Sequence, residues 1–135
     1  MGLRERRAVK NFEENIFPEQ KARIDAAYGS AIEVDVDWDA IAVDGMDHMY
    51  DEAFTKVYFD TIAGVFERIA IDDFGREALQ AGVTKVAITN SDSFSNHRGF
   101  SFEEGVFTLD HKPTYNIDSV TDRVDNGAKL LEDAL

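Results

Sequence analysis

Cysteine is missing from this 135-residue chain, and its absence excludes disulfides, thiolate nucleophiles and thiolate-ligated zinc or iron–sulfur centres. Proline occurs only twice and glycine nine times, too few for a low-complexity linker, and no internal repeat is visible. The chain is therefore read as one compact domain spanning residues 1–135, a length that supports one sizeable core. No apolar run approaches the length that spans a bilayer, and the N-terminus lacks the apolar segment of a secretory signal. Met1-Gly2 opens like a myristoylation site, but Arg6 stands where serine or threonine is wanted. A cytoplasmic location is the resulting expectation. Neither a G-x-G-x-x-G nor a Walker loop is present to cradle a nucleotide, and no cofactor is expected.

Positive charge is scarce as well. Acids outnumber bases 27 to 14, for a formal charge of −13. Nucleic acid is bound by neutralising phosphates with Lys and Arg, so a chain this acidic is read as no nucleic-acid binder. The same repulsion argues against an anionic membrane surface and favours, if the partner is a macromolecule, a basic protein. The acidity is concentrated: from Asp25 to Glu52 there are nine acids and no Lys or Arg.

What is present is clearest at Ile32–Trp38, Ile-Glu-Val-Asp-Val-Asp-Trp, where apolar and acidic residues alternate without a miss. A pleated strand sends successive side chains to opposite faces, so Ile32, Val34, Val36 and Trp38 share a dry face and Glu33, Asp35 and Asp37 a wet one. Around this strand the chain predicts helices over about 5–16 and 18–27, broken at Pro18, and a long helix over about 47–69. A short helix capped by Asp72 or Asp73 runs to Gly82, followed by a strand over 83–89. Phe100–Phe102 and Val106–Leu109 read as a hairpin around Glu103-Glu104-Gly105. A last helix begins near Asp118, with Gly127 as its weak place. The order ααβααβββα, with strands late in the chain, predicts an α+β fold: a mainly antiparallel four-stranded sheet with helices packed on one face. Phe94, Phe100, Phe102 and Phe107 are expected to line the sheet's inner face, a homodimer interface being the alternative.

Candidate chemistry is thin. Asp35, Asp37 and Asp39 open like a calcium loop, but Ala40 replaces the turn glycine and Met46 the bidentate glutamate. His48, His97 and His111 are scattered, without the facing spacings of a metal site; His48 with Asp44, Asp47 or Asp51 is a weak cation set. Ser91, Ser93 and Ser95 near His97 read as turn chemistry before they read as a hydrolase. Met46, Met49 and Tyr50 are expected to fill core. Arg4, Arg6, Arg7 and Lys10 are either a solvated end or a basic cluster that docks on the acidic run. No catalytic set emerges. The expected role is a protein-interaction module presenting Glu33, Asp35, Asp37, Asp39, Asp44 and Asp47 to a basic partner. The alternatives are a small-molecule-binding or catalytic pocket between helices and sheet, and a divalent-cation site at Asp35, Asp37 and Asp39.

Overall fold

Pro18 separates the two opening helices. In the computed structural model, which describes residues 1–92 and 99–135, α1 runs Leu3–Asn15 and α2 Phe17–Tyr28. The proline sits in the first turn of α2, where its missing N–H leaves no helical bond unmade. Strand β1 is Glu33–Val36, shorter than the alternation around it. The reason is local. The Asp37 N–H donates to Ile88 O at 2.9 Å as the last bond of the ladder, while its carboxylate accepts from the Ala40 N–H at 3.2 Å. That N-cap starts the helical turn α3, Trp38–Ile41. Exposure nonetheless keeps alternating to Asp39, so Trp38 still turns inward.

The helix expected over 47–69 is present as one helical run of changing pitch. A 3₁₀ turn, Asp47–Met49, leads into α4, Tyr50–Phe54, a π-helical turn, Thr55–Phe59, and α5, Asp60–Ile69. Helix α6, Asp73–Gly82, is capped by Asp72, whose carboxylate accepts from the Gly75 N–H at 2.8 Å. Then come β2, Lys85–Thr89, β3, Phe100–Glu103, β4, Val106–Asp110, and α7, Val120–Ala134. Glu104 and Gly105, both with positive φ, make the turn between β3 and β4.

The four-stranded α+β arrangement stands, but the expectation of a mainly antiparallel sheet does not. The strand order is β1-β2-β4-β3, with β1/β2 and β2/β4 parallel and only β3/β4 antiparallel. Two physical causes account for the difference. Helices α3 to α6 form a crossover that returns the chain in the direction in which it left β1. The second strand of the hairpin, not the first, then docks on β2, because β4 carries the two side chains that vanish from solvent, Phe107 and Leu109. Phe100 and Phe102 of β3 stay half-buried at the edge.

Register aligns the inner face in two rows, Val34–Val86–Phe107–Phe102 and Val36–Ile88–Leu109–Phe100. Phe66 of α5 meets Phe107 at 6.2 Å between ring centroids, and Phe107 stacks on Phe100 at 5.3 Å. Phe12, Phe54, Phe59 and Tyr58 complete a core in which each fully buried aromatic contributes roughly 1.5–3 kcal/mol before ordering entropy. The opposite face carries Glu33, Lys85, Val106 and Glu103 in one row and Asp35, Ala87, Thr108 and Ser101 in the next, none of them buried. Of the four phenylalanines expected on the inner face, Phe94 lies outside the described residues and the other three are there. Gly127 is a contact point, not a weak place: a Cβ there would lie 2.8 Å from Val65 Cγ2 and 3.0 Å from Phe100 Cζ, so glycine lets α7 close on α5 and β3.

Candidate functional site

The acidic stretch is laid along one edge of the molecule. Strand β1 is an edge strand, so Glu33 and Asp35 project from the margin of the open sheet face. Asp37, the N-cap of α3, and Asp39, in its first turn, follow, both exposed; Asp44 is exposed in the next loop, and Asp47 is half-buried where the 3₁₀ turn begins. The cross-strand neighbour of Glu33 is Lys85, and its ammonium lies 3.3 Å from Glu33 and 3.5 Å from Asp35. The hydrogen bond to Glu33, then the charges of Glu33 and Asp35, hold the Lys85 pKa above its usual range. Asp37, Asp39 and Asp47 form no ion pair among the described residues.

Asp35, Val36, Asp37, Trp38 and Asp39 line a shallow open depression of ≈ 430 Å³. Trp38 joins that surface to the core, its indole packing edge-on against Phe17 at 5.4 Å and tilted on Phe12 at 6.0 Å. Carboxylates beside a half-buried indole favour ammonium and guanidinium groups by charge, and the indole adds apolar contact for their stems. The geometry does not gather the three aspartates around one ion: Asp35 leans on Lys85, and Asp37 is committed to its cap. Among the described residues, no group of three or more His, Asp or Glu side chains is placed to hold a metal.

The other candidates are dispersed. Ser93, Ser95 and His97 lie outside the described residues. Ser91 donates from Oγ to Asp110 at 2.6 Å and from its N–H at 2.9 Å. His48 is exposed, whereas His111 is fully buried, its Nδ1 2.7 Å from Lys112 O. Tyr50 is core, stacked on Phe54 at 4.7 Å and donating to Val43 O at 2.8 Å. Burial, then the charges of Glu5, Asp47 and Asp44, push its phenol up to about 12. Arg4, Arg6, Arg7 and Lys10 remain exposed on α1. It is Glu5, not this basic cluster, that reaches the acidic loop, accepting from the Gly45 N–H at 3.4 Å. Its carboxyl is held below the usual range by hydrogen bonds from main-chain N–H groups, its own first. The helix–sheet interface, where a small-molecule pocket was an alternative, is filled by Val86, Ile88, Phe66, Phe107 and Leu109.

Sequence reasoning missed a buried cation. Arg123 of α7 is fully buried and donates to Thr61 Oγ1 at 3.1 Å, Asn116 O at 2.5 Å, Ile117 O at 2.9 Å and Lys56 O at 3.3 Å. Lys56 O also accepts from the Thr61 hydroxyl at 3.1 Å, so the guanidinium and the threonine serve the carbonyl of the π-helical turn. Burial lowers the Arg123 pKa, opposed by Tyr58 and three aspartates. The signal was available: Arg123 falls on the stripe Val120, Val124, Gly127 and Leu131, where a charge must be either exposed or fully bonded. Its role is structural.

Compared with known proteins, the chain matches no family model, no curated protein and no solved structure. Function must be argued from the surface itself. No helix among the described residues is long and apolar enough to cross a membrane.

Proposed function

We propose that this chain is a protein-interaction module that receives a basic partner on the acidic surface running from β1 through α3 into the loop that follows. The observation that carries the reading is the depression beside Trp38, walled by Asp35, Asp37 and Asp39, of which only Asp35 has a cation, Lys85, within ion-pair distance among the described residues. Two physical arguments support it. A charge of −13 per chain steers cations toward the molecule, and clustered carboxylates concentrate that field at one place. The indole, anchored from behind by Phe12 and Phe17, supplies a rigid apolar surface against which a Lys or Arg side chain lays its stem. The partner segment is accordingly one rich in Lys or Arg.

The test is charge reversal at two exposed positions, of which, among the described residues, only Asp35 pairs with another residue, Lys85 at 3.5 Å. The double substitution Asp35→Lys with Asp39→Lys leaves the Asp37 cap intact. It should abolish capture of basic proteins from a low-salt lysate, while the melting temperature stays close to that of the parent. Undiminished capture by a folded double variant would reject the reading.

A further inference from the structure

We infer that the apolar depression between the α5–α6 turn, helix α6 and the end of α7 is a second docking surface, fitted to a basic amphipathic segment of a partner. Ile71 and Phe74 are 82% and 87% exposed, the most exposed large apolar side chains among the described residues. With Ile69, Ala78 and Leu135 they line an open depression of ≈ 390 Å³. Exposed apolar residues scattered singly are ordinary; a pair standing over an apolar concavity marks an interaction surface.

The backbone under Phe74 is held by a cap and by close packing. Asp72 caps α6, and Gly75 packs so tightly that a Cβ there would fall 1.7 Å from Ile69 O. The exposure of Phe74 therefore belongs to a fixed backbone. Charge at the rim selects the occupant. Arg68 and Arg76 are paired with Asp125 and Asp73, at 2.5 Å and 2.7 Å. Asp72 and Glu132, which line the depression, and Glu77, one turn along α6 from Phe74, form no ion pair among the described residues. The unpaired charge at the rim is thus negative. A second copy would set two acidic rims face to face, each on a chain of charge −13, and an anionic membrane meets the same repulsion. A segment with apolar side chains on one face and Lys or Arg on the other satisfies both the groove and its rim. No residue is shared with the β1–α3 surface, so the two proposals stand or fall separately.

The experiment uses the full chain and a fluorescein-labelled amphipathic peptide of leucine and lysine, with a leucine–glutamate peptide as control, read by fluorescence anisotropy. The expected result is saturable binding of the leucine–lysine peptide alone. Phe74→Ser and Ile71→Ser should each weaken it by about tenfold or more, the loss typical of an interface anchor. Glu77→Gln with Glu132→Gln should weaken it less and reduce its salt dependence, while Asp35→Lys with Asp39→Lys leaves in place the part of the binding that Phe74→Ser removes. Equal affinity of the Phe74→Ser variant, equal binding of the leucine–glutamate peptide, or no saturable binding would each overturn the proposal. Binding lost only in the Asp35→Lys, Asp39→Lys variant would overturn it while leaving the β1–α3 reading standing. A parent chain that sediments as a dimer, and becomes monomeric with Phe74→Ser, would assign the groove to a second copy and overturn it as well.

Discussion

Arg123 shows how one side chain organises its surroundings. Its hydrogen bonds run to the π-helical turn, to α5 through Thr61 and to the segment before α7. Lys56 reinforces the same junction, bonded to Asp118 and Glu52 at 2.8 Å each, and those bonds raise its pKa, the Asp118 bond first. Arg123→Leu removes the guanidinium's hydrogen bonds to Thr61 and to the carbonyls of Lys56, Asn116 and Ile117, and is expected to cost roughly 1–3 kcal/mol, measurable by urea unfolding at unchanged slope. Tyr50 makes a second prediction at this scale. Its folded-state pKa lies at about 12 against an ordinary 10.0, so the folded state holds the proton more tightly. The stability this contributes is complete below pH 10.0 and is lost as pH rises toward 12. Unfolding free energy should fall across that window, and Tyr50→Phe should make the fall shallower. An unchanged slope in Tyr50→Phe would remove Tyr50 from that account. Asp37 belongs to both structure and surface: Asp37→Ala should destabilise by about 1 kcal/mol through the lost cap, while Asp37→Asn, which caps as well, should cost only a few tenths.

Among the elements, α7 is held by close approach. Gly127→Ala gains about 1 kcal/mol of helix propensity, but its Cβ meets Val65 and Phe100 at overpacking distance, a cost of roughly 1–3 kcal/mol. A net loss of stability is expected on thermal melting; a gain would show that α7 moves away from β3 freely. The helices were legible because their signals are local: Pro18, the cap at Asp72, and a broad apolar stripe over 47–69. The alternation of β1 was legible too, but not its end, since Asp37 satisfies ladder and cap at once. Strand direction was not legible. Hairpin chemistry at Glu104-Gly105 tells that β3 and β4 are antiparallel, and nothing local tells which of them docks on β2. That choice rests on the depth to which Phe107 and Leu109 are buried, a tertiary property. The acidic cluster is visible in the sequence itself, whereas Lys85 within it, and the Trp38 depression it encloses, depend on strand pairing across 52 positions. The groove beside Phe74 gave no sequence signal, because an exposed phenylalanine near a helix start reads as one that packs inward.

Across the whole molecule, charge is the dominant unbalanced quantity. With −13 on a small chain, self-repulsion opposes the compact state, and salt relieves it. Raising ionic strength from about 0.01 M to about 0.15 M shortens the screening length from about 30 Å to about 8 Å and should raise the melting temperature by a few degrees. A falling melting temperature would mean that surface ion pairs outweigh the repulsion. The proposed role of the acidic β1–α3 surface in receiving a basic partner is tested most directly by a residue-resolved titration. An isotope-labelled chain is titrated with a short arginine–lysine peptide at low salt and followed by NMR. The amides of Glu33 to Asp44, together with the Trp38 indole N–H, are expected to shift first and to return when salt is added. Shifts spread evenly over the acidic residues of the molecule, or a Trp38 signal that stays in place at saturation, would contradict it.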